Sequence, residues 1–232
     1  GFVLGDLESH DVLCRHLTVE TGAQVVAVDY RRAPEHPFPA GLEDAYAGLR
    51  WVAGRSPSSD PAPLDAAGPV AVCGDSAGAT LVAAACLVAR DLDGPAVAHQ
   101  ALAYPAVARD PDWPSMAAFA EGYFLTATDV EWFRECYLPN PLDRANPYAS
   151  PLAAASHADL PPATVVTAGF DPLRDQGVAY AEALAADGVD VTHRHYEDMI
   201  HGFLSLLEGD LALERGHEAL RAVAGDLRTA LE

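Results

Sequence analysis

Gly74-Asp75-Ser76-Ala77-Gly78 fits the pattern G-x-S-x-G, in which a serine hydroxyl is presented on a sharp strand-to-helix turn. Alone, the pentapeptide is a weak signal. Its setting makes it specific. The apolar run Val70–Cys73 just before it reads as a strand, and Ser76–Arg90 just after it is apolar almost all round and reads as a central, covered helix. A serine at that junction is a candidate nucleophile. The helix opening at Ser76 aims its free N–H groups and positive end at the same point, which favours an anionic intermediate. The two glycines are expected to be obligatory, because a side chain on Gly74 or Gly78 would collide with the neighbouring strand or helix.

A serine nucleophile needs a base and a group that orients the base. Where such a turn is used, the acid and then the histidine follow the serine along the chain. Asp171 comes just after the apolar run Ala163–Gly169, at the C-terminal end of a predicted strand. His201 follows the alternating run Val191–Tyr196 across a short loop, Glu197–Ile200. Sites of open α/β sheets gather at that edge. The spacing therefore points to Ser76 as nucleophile, His201 as general base and then acid, and Asp171 as the group fixing the imidazole tautomer. Among competitors, Asp175 suits a helix cap, and Asp190 precedes its strand at the wrong edge. His193 and His195 share one strand face and read as a solvated surface, so no metal site is expected. His36, in a Pro-rich loop, reads as a packing residue near the rim.

The elements that must hold these groups alternate. A helix capped by Ser9 runs to Glu20, with Gly22 as its stop. The Val-rich run Ala23–Asp29 reads as a buried strand, Ala33–Ala40 as a rigid Pro-rich loop, and Leu42–Ala53 as a helix. Ser56–Gly68 reads as a surface loop and Ala98–Ala103 as a strand. Val107–Pro151 breaks the rhythm. It holds the aromatics Trp113, Phe119, Tyr123, Phe124, Trp132 and Phe133 and a helix capped by Thr128 that ends near Tyr137. An inserted lid over residues 107–150 explains it better than a linker, since linkers are polar. The catalytic domain is then 1–106 plus 151–232. Asp175–Asp187 and Glu208–Leu231 read as helices. Strands alternating with helices imply crossovers, a mostly parallel central sheet and helices on both faces.

Composition narrows the function. The chain has 232 residues, enough for one α/β domain with a sizeable core. Its net charge is −20, from 34 acidic and 14 basic residues, which argues against nucleic acid or an anionic membrane as partner. All the basic residues are Arg, so lysine-dependent chemistry (a Schiff base, a P-loop Lys, a Ser–Lys dyad) is excluded. Cys14, Cys73, Cys86 and Cys136 are scattered without a CxxC pair, and Cys73 and Cys86 read as small core side chains. No apolar stretch is long enough to span a membrane. With no signal peptide visible, the expected location is the cytoplasm.

Taken in order, Gly1–Asp11 (GFVLGDLESHD), Asp29–Ala40 (DYRRAPEHPFPA), Glu43–Trp51, GDSAG, Asp171–Gly177 (DPLRDQG) and His201–Phe203 (HGF) resemble the bacterial hormone-sensitive-lipase family of α/β-hydrolases, in its GDSAG branch. The resemblance spans the chain. It implies a serine carboxylesterase for short- to medium-chain acyl esters, with no cofactor, and a cap built partly from the 107–150 insert. It allows a homodimer through the strand near Val191–Tyr196. Family members carry His-Gly-Gly-Gly before the stretch matching Phe2–Asp11, preceded by strands and cap helices. This chain starts at what matches the last glycine, so the N-terminal strands and cap helices are expected to be missing. Ala77 N–H and Gly1 remain as oxyanion donors. Arg32 stands where the family has an apolar residue and is expected to be exposed. The alternatives are a truncated, inactive hydrolase fragment and a ligand-binding relative. Receptors on this fold lose the histidine that is present here as His201, and peptidases with the same triad carry a gating domain that this chain does not show.

Overall fold

A computed structural model describes residues 1–54, 68–108, 110 and 112–232. The elements run α1 (Leu7–Thr21), α2 (Ala40–Ala53), β1 (Ala71–Asp75), α3 (Ala77–Asp91), β2 (His99–Ala103), α4 (Pro114–Ala118) and α5 (Ala127–Tyr137). They continue with β3 (Ala163–Phe170), α6 (Arg174–Ala186), β4 (Val191–Ile200) and α7 (Glu214–Leu231). Among the described residues the strands form one sheet in the order β1-β2-β3-β4, parallel throughout.

Alternation along the strands divides the core into two layers. Ala101, Ala103, Val166 and Ala168 face Leu17 of α1 and Leu220, Val223 and Leu227 of α7. Leu102 and Val165 face the opposite side, against Ala79, Ala83, Cys86 and Leu87 of α3 and Tyr180 and Leu184 of α6. Short side chains on α3 let that helix lie close to the sheet. A third cluster joins α2 and α3 to Tyr137 and Leu138 at the end of α5 and to Phe2. The Phe2 and Tyr137 rings stack at 3.8 Å.

Local chemistry shifts several expected boundaries. Asp6, not Ser9, caps α1: its carboxylate accepts the Ser9 N–H at 2.8 Å, and Ser9 Oγ accepts the Asp6 N–H in return. That reciprocal box draws Leu7 and Glu8 into the helix. Thr126, not Thr128, caps α5 through the same device with Asp129. The last helix starts at Glu214 rather than Glu208: Gly209 takes a left-handed φ of 76°, so no helix runs through it, 209–211 make a separate 3-10 turn, and Leu213 is extended. The expected 56–68 loop lies, but for Gly68, outside the described residues.

The expected strand over 23–29 does not form. A strand needs a hydrogen-bonded neighbour, and this extended segment is separated from the free edge of β1 by an apolar cleft of about 750 Å³ lined by Leu13, Leu17, Val28 and Cys73. Val25, Val26 and Val28 are therefore each 38% exposed. Cys73 faces the same cleft and is exposed, contrary to expectation, while Cys86 is buried. No helix among the described residues is long and apolar enough to cross a membrane.

Candidate active site

Three strands run the same way, so the residues just beyond them meet at one edge. Ser76 follows β1, Asp171 follows β3 and His201 follows β4. His201 Nε2 lies 2.9 Å from Ser76 Oγ, and His201 Nδ1 lies 2.8 Å from Asp171 Oδ2. Asp171 is fully buried, and its other oxygen accepts the Leu173 N–H at 2.8 Å. A carboxylate held this way accepts a hydrogen bond from Nδ1–H, which leaves Nε2 free to accept the serine proton.

The turn at Ser76 is strained, with φ 51° and ψ −118°. The Ser76 N–H holds the turn to β2 by donating to the Ala103 carbonyl at 2.8 Å. Ala77, the first residue of α3, has an N–H with no partner in the preceding turn of its helix. Gly74 is obligatory: a Cβ there would lie 2.4 Å from the carbonyl carbon of Gly78. Gly78 is not obligatory on the same ground, because a Cβ there would meet only Asp75 Oδ1, at 4.0 Å.

β4 runs on through Ile200, where a loop was expected. Pairing slips between Ala168↔Tyr196 and Phe170↔Ile200, so β4 carries extra residues opposite β3. Gly169 sits at the slip, and a Cβ on it would lie 1.9 Å from the Glu197 carbonyl oxygen. Such a bulge re-aims the strand end, here turning His201 toward Asp171. The imidazole is walled by the Tyr104 ring at 4.7 Å, itself packed on Phe203.

Ser76 and His201 open into a cavity of about 400 Å³ with Gly1, Ala77, Met116, Phe124, Phe133 and Leu173 in its lining. Phe124 is 75% exposed and forms part of the mouth. Sequence reasoning did not single out Tyr104, whose only signal was its place beyond a strand, nor Ser115. The Ser115 hydroxyl donates to the Pro172 carbonyl and its N–H donates to Asp175, both at 2.8 Å. Asp175 therefore ties α4 to α6 and does not cap α6, where Leu173 holds the cap position. Asp190 is exposed at the opposite end of β4. His193 and His195 both bond Thr167 Oγ1 at 2.9 Å on the exposed face of β4. His36 is exposed and absent from the cavity lining. Arg32, expected to be exposed, is half-buried and donates to the Gly5 carbonyl at 2.6 Å and to Asp29 at 3.0 Å. Among the described residues no three His, Cys, Asp or Glu side chains are grouped to hold a metal ion.

A family model described as alpha/beta hydrolase fold matches residues 1–205. The chain belongs to this family, in its hormone-sensitive-lipase-like group. It is 43% identical over 231 residues to Esterase LipI of Mycobacterium tuberculosis, covering 96% of this chain and 70% of that one. To the carboxylic ester hydrolase LipN of the same organism it is 45% identical over 213 residues, covering 90% of this chain and 56% of the relative. It thus spans between about half and three quarters of the length of these relatives. The structure of a thermostable esterase from Pseudomonas putida superposes with a TM-score of 0.93 at 38% identity, covering all of this chain and 72% of that one. A thermostable carboxylesterase cloned from a metagenomic library superposes at 0.91 with 40% identity, covering all of this chain and 77% of that one.

Proposed function

We propose that the chain carries the catalytic centre of a serine carboxylesterase. The observation that carries the reading is the single imidazole of His201 placed between the Ser76 hydroxyl and the buried Asp171 carboxylate. His201 takes the Ser76 proton as Oγ attacks the ester carbonyl carbon. The resulting oxyanion accepts hydrogen bonds from the Ala77 and Gly1 N–H groups at the cavity wall. His201 then returns the proton to the leaving alcohol, and the acyl group stays on Ser76. Water, deprotonated by the same imidazole, attacks the acyl-enzyme and releases the acid. Written this way, the chemistry uses only groups of the chain and calls on no cofactor.

The substrate assigned is a short- to medium-chain acyl ester. Met116, Leu125, Val130, Phe133 and Leu173 make the cavity wall apolar, which suits an acyl chain. Most of these residues come from 107–150, which we assign as a cap over a catalytic domain formed by 1–106 and 151–232. The names of the relatives, esterase and carboxylic ester hydrolase, support the reaction class.

The test is hydrolysis of p-nitrophenyl butyrate by the parent chain and by Ser76→Ala. The parent should turn over, and the variant should lose about 10⁴-fold or more. Equal rates in the two would remove Ser76 from the mechanism.

A further inference from the structure

Asp75, the residue before Ser76, has a role that the proton-transfer scheme leaves unused. Its side chain is four-fifths buried, with 19% exposed, and Oδ1 lies 3.4 Å from His10 Nε2. A Cβ on Gly78 would come 4.0 Å from this same oxygen, so the glycine leaves one side of the carboxylate open. His10 sits in the first turn of α1, just after the 1–6 segment that lines the cavity through Gly1, Phe2 and Leu4. Two strong contacts tie that segment down. Arg32 donates to the Gly5 carbonyl at 2.6 Å, and Asp6 and Ser9 close the capping box. Gly5, at φ 96°, packs so close that a Cβ on it would lie 3.2 Å from His10 Cε1.

The capping box reaches the imidazole. Ser9 Oγ accepts the Asp6 N–H at 2.8 Å and lies 3.0 Å from both the Asp6 carbonyl oxygen and His10 Nδ1. The other ring nitrogen, Nε2, faces the Asp75 carboxylate. His10 therefore bridges the capping box at the head of α1 to the residue before the nucleophile.

We propose that the His10–Asp75 pair is a positioning device that locks the 1–6 segment against the nucleophile turn and so sets the spacing of the Gly1 and Ala77 oxyanion donors. The inference rests on the esterase reading above. The groups facing the pair agree with it. Asp75 raises the His10 pKa against the lowering effect of burial, with a smaller raising contribution from the Asp6 backbone. Burial pushes the Asp75 carboxyl up, but His10 and, more weakly, His201 outweigh it and hold the carboxyl below its ordinary value. Cys14, Cys73, Tyr30 and Tyr104 are the other titratable side chains that feel the Asp75 charge.

A spacing device acts when the oxyanion forms, so its loss should appear in kcat and not in KM. In His10→Gln and in Asp75→Asn, measured on butyrate ester, kcat should fall about tenfold or more with KM within about twofold, and the double variant should match the single ones. Arg15→Ala, which breaks a surface pair with Asp11 on the same helix, should match the parent. Unchanged kcat in folded His10→Gln, or a rise confined to KM, overturns the proposal, and His10→Gln alone decides the matter if Asp75→Asn does not fold. The second readout needs no turnover. The nitrogen-15 titration midpoint of His10 should drop in Asp75→Asn. An unchanged midpoint overturns the pair even if Ser76 hydrolyses esters, and a dropped midpoint in a chain without esterase activity would fault the esterase reading and leave the pair standing.

Discussion

Gly74 and Gly78 hold matching places in one pentapeptide but stand in opposite structural situations. A Cβ on Gly74 would lie 2.4 Å from the Gly78 carbonyl carbon, whereas a Cβ on Gly78 would meet only Asp75 Oδ1 at 4.0 Å. The close approach of β1 to the first turn of α3 therefore depends on Gly74 alone. Gly74→Ala should cost about 1–3 kcal/mol or more and abolish hydrolysis, because backbone must move. Gly78→Ala should be tolerated or stabilise the fold by up to about 1 kcal/mol, as alanine does in a helix. Thermal melts and butyrate turnover of the two variants check this, and equal damage would contradict it.

The two acids after β3 should separate cleanly. Asp171 holds the imidazole, and in Asp171→Asn the amide can present its N–H₂ to Nδ1 and favour the wrong tautomer, lowering kcat by up to about 10⁴. Asp175 accepts the Ser115 N–H and the Arg174 side chain. Its asparagine variant keeps an acceptor, so the change should be about 1–2 kcal/mol in stability with little effect on kcat in the folded protein. Comparable kcat losses in the two would reverse the assignment.

Gly169 tests the bulge. With the Glu197 carbonyl 1.9 Å from a would-be Cβ, Gly169→Ala has to part β3 from β4 beside the site. The variant should melt lower and label poorly with serine-directed reagents, since His201 is displaced from Asp171. Full activity would show that the slip in register does not aim His201.

Acid should weaken one identifiable ion pair. The Arg31 guanidinium holds the Asp44 carboxyl below its ordinary value. A depressed folded pKa gives stability that is present above the unfolded value, about 3.9, and lost as pH falls through the folded one. Self-repulsion in a chain of net charge −20 relaxes over the same range, so the informative quantity is a difference. The melting gap between the parent and Asp44→Asn should be open at pH 6 and close progressively below about pH 4. A gap independent of pH would contradict the pairing.

Much of this arrangement was legible in the sequence because it depends on order along the chain. Ser76 and Asp171 each follow an apolar run and His201 follows an alternating one, and parallel strands carry all three to one edge. What escaped depends on contacts between distant segments. The slip that extends β4 to Ile200 comes from Gly169 meeting Glu197, and no periodicity reports it. The run 23–29 has strand composition, yet composition does not supply the neighbour that a strand needs. His10 has the pattern of an ordinary helix residue, and only the fold brings it to 3.4 Å from Asp75. The caps moved by a few residues because Asp6 and Thr126, rather than the nearer Ser9 and Thr128, had a reciprocal partner three positions on.

The central claim is that Ser76 is a nucleophile activated by His201. Treating the folded chain with a fluorophosphonate and mapping the adduct by mass spectrometry tests it directly. The account predicts a single adduct on Ser76, absent in Ser76→Ala and formed far more slowly in His201→Ala. Modification of another serine with Ser76 untouched, or equal labelling in His201→Ala, would contradict it.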